Sequence, residues 1–273
     1  MVNAAVVQLS SQDDVALNLG RARHWISEAA RAGATLICLP ENFAFMGEES
    51  GKRAIAEKTD DASTGPVVGM LREAAAAHGV HIVAGGLPEA SGDADRPFNT
   101  SLLVAPGGII ARYRKIHLFD VDLPDGTSLK ESRATLAGPA SEGACVVTDV
   151  AGVRVGMTIC YDLRFPELYR ALEAKGARII TVPAAFTVTT GKDHWHVLLR
   201  ARAIENQVFI LAPAQTGKHP KGRATYGKSL IVDPWGDVLA QCGEGEGFAM
   251  ARLDRGYQDR IRGSLPALSH KRL

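Results

Sequence analysis

The sequence predicts a single mixed α/β domain of 273 residues. Three observations carry that expectation. Short apolar runs rich in β-branched residues alternate with longer runs of helical periodicity along the whole chain. No Pro- or Ser-rich linker divides it. The stretch GATLICLPENF (33–43) also aligns with GARIITVPAAF (176–186), each following a helical run and passing through an apolar strand to a Pro and then a Phe. Two related β-α-β halves would produce that repeat; chance likeness between two buried strands, which draw on a small alphabet, is the alternative. The informative position is the mismatch, Glu41 against Ala184. The scaffold does without a carboxylate in the second copy, so Glu41 is free to serve chemistry.

The expected strands are 3–9, 34–39, 80–86, 100–105, 108–114, 145–149, 152–159, 177–182, 208–213, 228–233 and 236–241. The expected helices are 14–32, 66–78, 166–175, 193–206 and 255–262. Asp13 or Asp14 suits the N-cap of the first helix and Asp193 that of the fourth, because a short carboxylate can accept the unpaired first-turn N–H groups. The helix at 166–175 opens with Pro166 and stops at Gly176, the usual asymmetry of helix ends. The turns APGG (105–108), DVAG (149–152) and DPWG (233–236) predict hairpins. GEGEG (243–247) lacks the strand–turn–helix context of a phosphate loop and is read as a turn.

Composition narrows the function classes. Apolar residues make up 46% and charged residues 22%, with a net charge of +1, which gives no bulk-charge drive toward nucleic acid or a membrane surface. No apolar run is long enough to span a bilayer, and the chain enters an apolar run almost at once (AAVVQLS, 4–10), so a cytoplasmic protein is expected. Cys38, Cys145, Cys160 and Cys242 form no CxxC pair, which argues against both a zinc knuckle and a redox dithiol. Cys38, Cys145 and Cys242 read as core filler. His194 and His196 form an HxH pair, but two residues apart on a helix they point to different faces, so no metal site is expected.

Glu41, Lys115 and Cys160 each follow the carboxyl end of an expected strand, the edge where open α/β architectures bind ligands. A thiol must lose its proton to attack a carbonyl, and a nearby carboxylate can take it. A lysine ammonium can hold the developing oxyanion, with help from the backbone N–H that follows the nucleophile, here that of Tyr161. His117 is the rival base. Arg200, Arg202 and Glu205 read as a structural ion-pair network. Arg164 either binds substrate or pairs with Asp162 or Glu167.

Three local sequences, LPEN (39–42), YRKIHLF (113–119) and CYDLRFPE (160–167), resemble the catalytic motifs of the carbon–nitrogen hydrolase (nitrilase) superfamily, in the same order and over essentially the whole chain. FDVDLP (119–124), HWHVLLRARAIENQ (194–207), GRATYGKSLIVDPWG (222–236) and LPALSHKRL (265–273) resemble its Nit branch, and within that branch the amidases of deaminated glutathione. The resemblance implies a four-layer α-β-β-α sandwich of two mixed sheets with pseudo-twofold symmetry, spanning residues 1–273 as one carbon–nitrogen hydrolase domain. It implies Glu41 as base, Lys115 as catalytic lysine, Cys160 as nucleophile, and Glu131 as a supporting carboxylate. It also implies Phe119, Phe186 and Thr190 as pocket walls, a homodimer, and no cofactor. The implied reaction passes through a cysteine thioester and yields α-ketoglutarate and cysteinylglycine. A substrate bearing carboxylates calls for cations in the pocket, for which Arg164, Lys192 and Lys218 are candidates. ω-Amidase action on α-ketoglutaramate, N-carbamoyl amide hydrolysis, nitrile hydrolysis and a catalytically silent scaffold are the alternatives.

Overall fold

A computed structural model describes residues 2–60, 65–122 and 128–272. In chain order its regular elements are β1 (Val2–Gln8), α1 (Val15–Arg31), β2 (Leu36–Leu39), α2 (Pro66–His78), β3 (His81–Glu89), β4 (Phe98–Ala105), β5 (Gly108–Arg114), β6 (Asp120–Asp122) and β7 (Ser128–Lys130). They continue with β8 (Val147–Val150), β9 (Val153–Met157), α3 (Pro166–Ala174), β10 (Ile179–Thr181), α4 (Val188–Asn206), β11 (Phe209–Ala212) and β12 (Thr216–Lys218). The last are β13 (Ala224–Tyr226), β14 (Leu230–Val232), β15 (Val238–Gln241), β16 (Gly247–Leu253) and α5 (Arg255–Ser264). Leu123 and Pro124 of the FDVDLP run, and the final Leu273, lie outside the described residues.

Two mixed six-stranded sheets form the inner layers, in the orders β16-β1-β2-β3-β4-β5 and β15-β14-β11-β10-β9-β8. Read in opposite directions, the two orders correspond. A parallel trio β1-β2-β3 matches β9-β10-β11. The antiparallel β4 and β5 match β14 and β15. The antiparallel flank β16 matches β8. The repeated sequence falls on β2 and β10, the middle strand of each trio, as the pseudo-twofold expectation requires.

Alternation along the strands builds the layers. Ala4, Val6, Leu36 and Cys38 pack into the core shared with the second sheet. Their neighbours Ala5, Val7, Ile37 and Leu39 pack the other way, into a core with Ile26 of α1 and Val68 and Leu71 of α2. On the far side, Trp195 and Leu199 of α4 pack against the second sheet. The result is the expected α-β-β-α sandwich.

Asp14 caps α1 through a 3.0 Å bond from Leu17 N–H. The hairpins at 105–108, 149–152 and 233–236 form as read, between β4 and β5, β8 and β9, and β14 and β15. Several expectations change. The fourth helix begins at Val188 and not at residue 193, and Thr187 caps it in place of Asp193. The β-branched run TVTT disguises that first turn as strand. The short β6, β7, β12 and β13 are not among the expected strands, and neither is β16, because GFAMARL follows the GEGEG turn with a mixed face that makes sense only once it pairs with β1. Cys145 is half-buried and packs at the core margin, whereas Cys38 and Cys242 are buried.

Candidate active site

β2 ends at Leu39, and Pro40 turns the chain so that the side chain of Glu41 is buried. Its Oε1 accepts from Lys115 Nζ at 3.0 Å and from Asn99 Nδ2 at 2.9 Å, and its Oε2 accepts from the Ala185 N–H at 3.1 Å. Gly86, at φ +48, lies under it. A Cβ there would come within 2.8 Å of Glu41 Cγ and 2.6 Å of Asn99 Oδ1, so the carboxylate approaches a backbone that only glycine leaves open.

Lys115 is the first residue beyond β5 and is almost fully buried. Its ammonium is shared between Glu41 and Glu131, whose Oε2 lies 2.8 Å away and whose Oε1 lies 3.1 Å away. Glu131 stands at the start of a short 3-10 turn and also accepts from Phe119 N–H at 2.7 Å and Asn99 Nδ2 at 3.2 Å. Burial opposes the charge on Lys115, but the carboxylates of Glu131 and Glu41 outweigh it and hold its pKa well above the usual lysine range. Burial pushes Glu131 the other way, and the ammonium of Lys115 reverses that and keeps the carboxyl ionised.

Cys160 opens a 3-10 turn, Cys160–Arg164, just beyond β9. Its φ of +48 is a left-handed conformation that costs a non-glycine residue about 1–2 kcal/mol. Asp162 offsets that cost. Fully buried, it accepts from Ile159 N–H (2.8 Å), Tyr113 Oη (2.7 Å), His117 Nδ1 (2.7 Å) and, more weakly, His117 N–H (3.3 Å). Tyr113 and His117 stand two residues either side of Lys115, so one carboxylate fixes the cysteine turn to the lysine segment. Arg202 supports the same turn by donating twice to the Leu163 carbonyl, at 3.0 and 2.8 Å.

The thiol of Cys160 is held neutral at rest. Burial raises its pKa most, the Glu41 charge raises it further, and the Lys115 charge and the Ala185 N–H recover only part of the shift. Burial alone raises the pKa of the Cys38 thiol, and burial likewise raises that of Cys242, to about 11.

A cleft of about 460 Å³ lies over these groups. It is lined by Glu41, Lys115, Glu131 and Cys160, and also by Lys52, Lys130 and Arg223. A smaller pocket of about 230 Å³ adjoins it and brings Phe119, Tyr161, Arg164, Phe186 and Thr190 together beside Cys160. Arg164 stands over the rings of Tyr161 and Phe186, at 5.8 and 5.6 Å, with His194 Nδ1 3.4 Å from its guanidinium. It pairs with neither Asp162 nor Glu167 among the described residues. Lys192 and Lys218 are exposed and lie outside the linings of these pockets. His117 stacks on Phe165 at 3.7 Å and is taken up by Asp162, and His196 bonds Gln241 at 2.7 Å. Arg202 pairs with Glu205 at 3.0 Å, while Arg200 donates to the Gly236 carbonyl.

Sequence reasoning missed Asn99, Asp162, Lys52 and Arg223. Asn99 lies inside β4 and Lys52 in a 3-10 segment, with no local pattern to mark them. Asp162 carried a signal, an acid two residues after a turn cysteine, but its partners lie about 45 residues upstream.

The chain matches the family model "Carbon-nitrogen hydrolase" over residues 3–262. The chain belongs to the carbon–nitrogen hydrolase family. Membership makes it a hydrolase of carbon–nitrogen bonds other than peptide bonds. It is 45% identical over 274 residues to a deaminated glutathione amidase of Synechocystis, covering 98% of this chain and 97% of that one. It is 40% identical to the human deaminated glutathione amidase, covering 98% and 81%. Among solved structures, yeast Nit3 superposes with a TM-score of 0.88 at 31% identity, covering 100% and 97%. An amidase from Nesterenkonia sp. AN1, whose structure carries acrylamide added to its active-site cysteine, superposes at 0.78 with 27% identity, covering 98% and 100%. No helix among the described residues is long and apolar enough to cross a membrane.

Proposed function

We propose that this hydrolase cleaves the amide of deaminated glutathione through a Cys160 thioester, giving α-ketoglutarate and cysteinylglycine. One observation carries the reading: a single buried ammonium joins two carboxylates beside a buried neutral thiol, in a cleft that also holds Lys52, Lys130 and Arg223. The substrate class rests on the similarity to amidases of that name.

Because the thiol is neutral at rest, Glu41 takes its proton as sulfur attacks the amide carbon. Lys115 and the Tyr161 N–H hold the tetrahedral oxyanion. As the carbon–nitrogen bond breaks, Glu41 returns the proton to the leaving nitrogen and a thioester remains. Glu41 then deprotonates water, which attacks the thioester carbon. The carbon–sulfur bond breaks, sulfur regains a proton, and the carboxylic acid leaves. Glu131 keeps Lys115 charged and fixed, and Phe119, Arg164, Phe186 and Thr190 line the substrate pocket. No cofactor enters this scheme.

The chain is read as one domain working as a homodimer in the cytoplasm. Val197 and Ile204 are exposed on α4, and the β14–β15 turn that carries exposed Trp235 meets Ile204 at Gly236, which offers apolar side chains to a second copy. Four unpaired cysteines suit a reducing compartment.

Intact-mass spectrometry during turnover of deaminated glutathione tests the reading. Wild type should show a transient α-ketoglutaryl adduct that Cys160→Ala lacks, with cysteinylglycine released. Ammonia release from α-ketoglutaramate without cleavage of deaminated glutathione would move the assignment to ω-amidase.

A further inference from the structure

Cys160 lies where the cavities divide. The cleft over Glu41, Lys115 and Glu131 shares Phe119, Leu129, Ala185 and Arg223 with a wider one of about 1020 Å³, to which Lys221 and Thr225 belong; Phe119 and Ala185 border all three cavities, whereas Leu129 and Arg223 join only these two. It shares Phe119, Cys160 and Ala185 with the pocket of about 230 Å³ that holds Arg164. A substrate amide at Cys160 therefore has two directions in which to extend, and they differ in one chemical respect. Glu41 and Glu131, with Glu49 further along, line the cleft that leads to the wide side, and no carboxylate lines the small pocket.

That difference orients the substrate. The departing nitrogen must receive a proton, so it must face an acid within hydrogen-bond reach. It can do so only on the side of Glu41 and Glu131. The amine half of the substrate then continues past Leu129 and Arg223 into the wide cleft, and the acyl half enters the small pocket. Each direction ends on cations. Arg164 stands in the acyl pocket over two aromatic rings, without a carboxylate partner among the described residues. On the amine side, Glu49 is shared by two cations, Lys52 at 2.7 Å and Arg223 at 2.7 Å, which leaves net positive charge there. Arg223 makes its contacts with Glu49 and the Gly47 carbonyl through Nη1, one corner of a planar group with five donors. Lys221 stands at the rim with its side chain 71% exposed, 2.9 Å from Glu48.

We infer that the site recognises the two ends of a dicarboxylate amide separately: Arg164 takes the carboxylate of the acyl half, and Arg223 with Lys221 takes the carboxylate of the departing amine. The inference rests on the proposed amidase reading and adds to it a subsite for the leaving group. It makes Arg223 and Lys221 determinants of specificity for a leaving group that ends in a carboxylate, as a dipeptide does and ammonia does not.

Two substrates with the same acyl half separate the subsites: deaminated glutathione, which releases cysteinylglycine, and α-ketoglutaramate, which releases ammonia. kcat and KM are measured on both for wild type, Arg223→Ala, Lys221→Glu and Arg164→Ala. Arg223→Ala and Lys221→Glu should each lower the kcat/KM ratio of deaminated glutathione to α-ketoglutaramate by about tenfold or more, chiefly through KM, as expected for loss of a charge-assisted hydrogen bond. Arg164→Ala should lower both substrates by similar factors and leave the ratio near the wild-type value. Lys221 is exposed, so Lys221→Glu reports even if Arg223→Ala loosens the Glu49 cluster. A ratio unmoved by both variants, or one moved by Arg164→Ala instead, overturns the inference. A wild type that does not cleave deaminated glutathione defeats the amidase reading itself, and is seen before any variant is compared.

Discussion

Asp162 touches no reacting atom in the proposed scheme, yet its removal should be among the more damaging single changes at the site. Asp162→Ala deletes a fully buried acceptor of four hydrogen bonds. It leaves the Ile159 and His117 backbone donors and the Tyr113 hydroxyl without that partner, and frees the left-handed turn at Cys160. Leaving buried donors unpaired costs about 1–3 kcal/mol for each. Asp162→Asn should cost less, and the structure says why. With the amide oxygen in the place of Oδ2, the short bonds from Ile159 and Tyr113 survive, and the new NH2 can donate to a His117 Nδ1 that carries no proton. Only the His117 backbone N–H, at 3.3 Å, is left facing a donor, for about 1–3 kcal/mol. The assay is urea denaturation followed by tryptophan fluorescence, with the midpoint compared at constant m. Iodoacetamide alkylation of Cys160 in the folded protein reports on the turn. Alanine should cost clearly more than asparagine. Equal costs for the two, or a cost for alanine below about 1 kcal/mol, would show that Asp162 does not hold the turn.

Cys160→Ala and Cys160→Ser should abolish turnover with the circular dichroism spectrum retained, while Cys38→Ala stays active; a folded but dead Cys38→Ala protein would mean that the wrong thiol was assigned. Lys115→Met should lose activity and also about 3–5 kcal/mol of stability, because it leaves the buried carboxylates of Glu41 and Glu131 uncompensated; a stability equal to wild type in the same urea titration would contradict the shared-ammonium arrangement. Lys52 and Arg223 overcome burial and lower the pKa of Glu49 to about 2. A carboxyl lowered in the folded state adds stability above its unfolded pKa, near 4.3, and that stability is lost as pH falls toward 2. Glu49→Gln should therefore flatten the acid limb of the stability curve between about pH 4.3 and 2; an unchanged limb would refute the pairing.

The parts of this protein that could be read from its sequence are those whose cause is local. Glu41, Lys115 and Cys160 each follow an expected strand, whose end is visible within about six residues of chain, and the likeness of LPEN, YRKIHLF and CYDLRFPE to the family's motifs is what singled them out. The repeat around Pro40 and Pro183 could be read for the same reason, and it anticipated the correspondence of the two sheets. β16 could not, because its partner β1 lies at the opposite end of the chain and a half-exposed strand shows little pattern until it is paired. The support for the site fails to show for the same reason. Asn99 matters because it donates to Glu41 and Glu131 from 58 and 32 residues away. The repeat supplies a last link. Its second copy lacks the carboxylate, with Ala184 opposite Glu41, but its turn contributes backbone instead. The Pro183 carbonyl accepts from Cys160 N–H at 2.8 Å, and the Ala185 N–H meets Glu41 Oε2 at 3.1 Å. A Cβ on Gly85 would fall within 1.9 Å of Pro183, so the first half closes directly onto that turn. The duplicated turn thus divides the labour: one copy supplies the carboxylate, and the other the main-chain groups that hold it against the thiol.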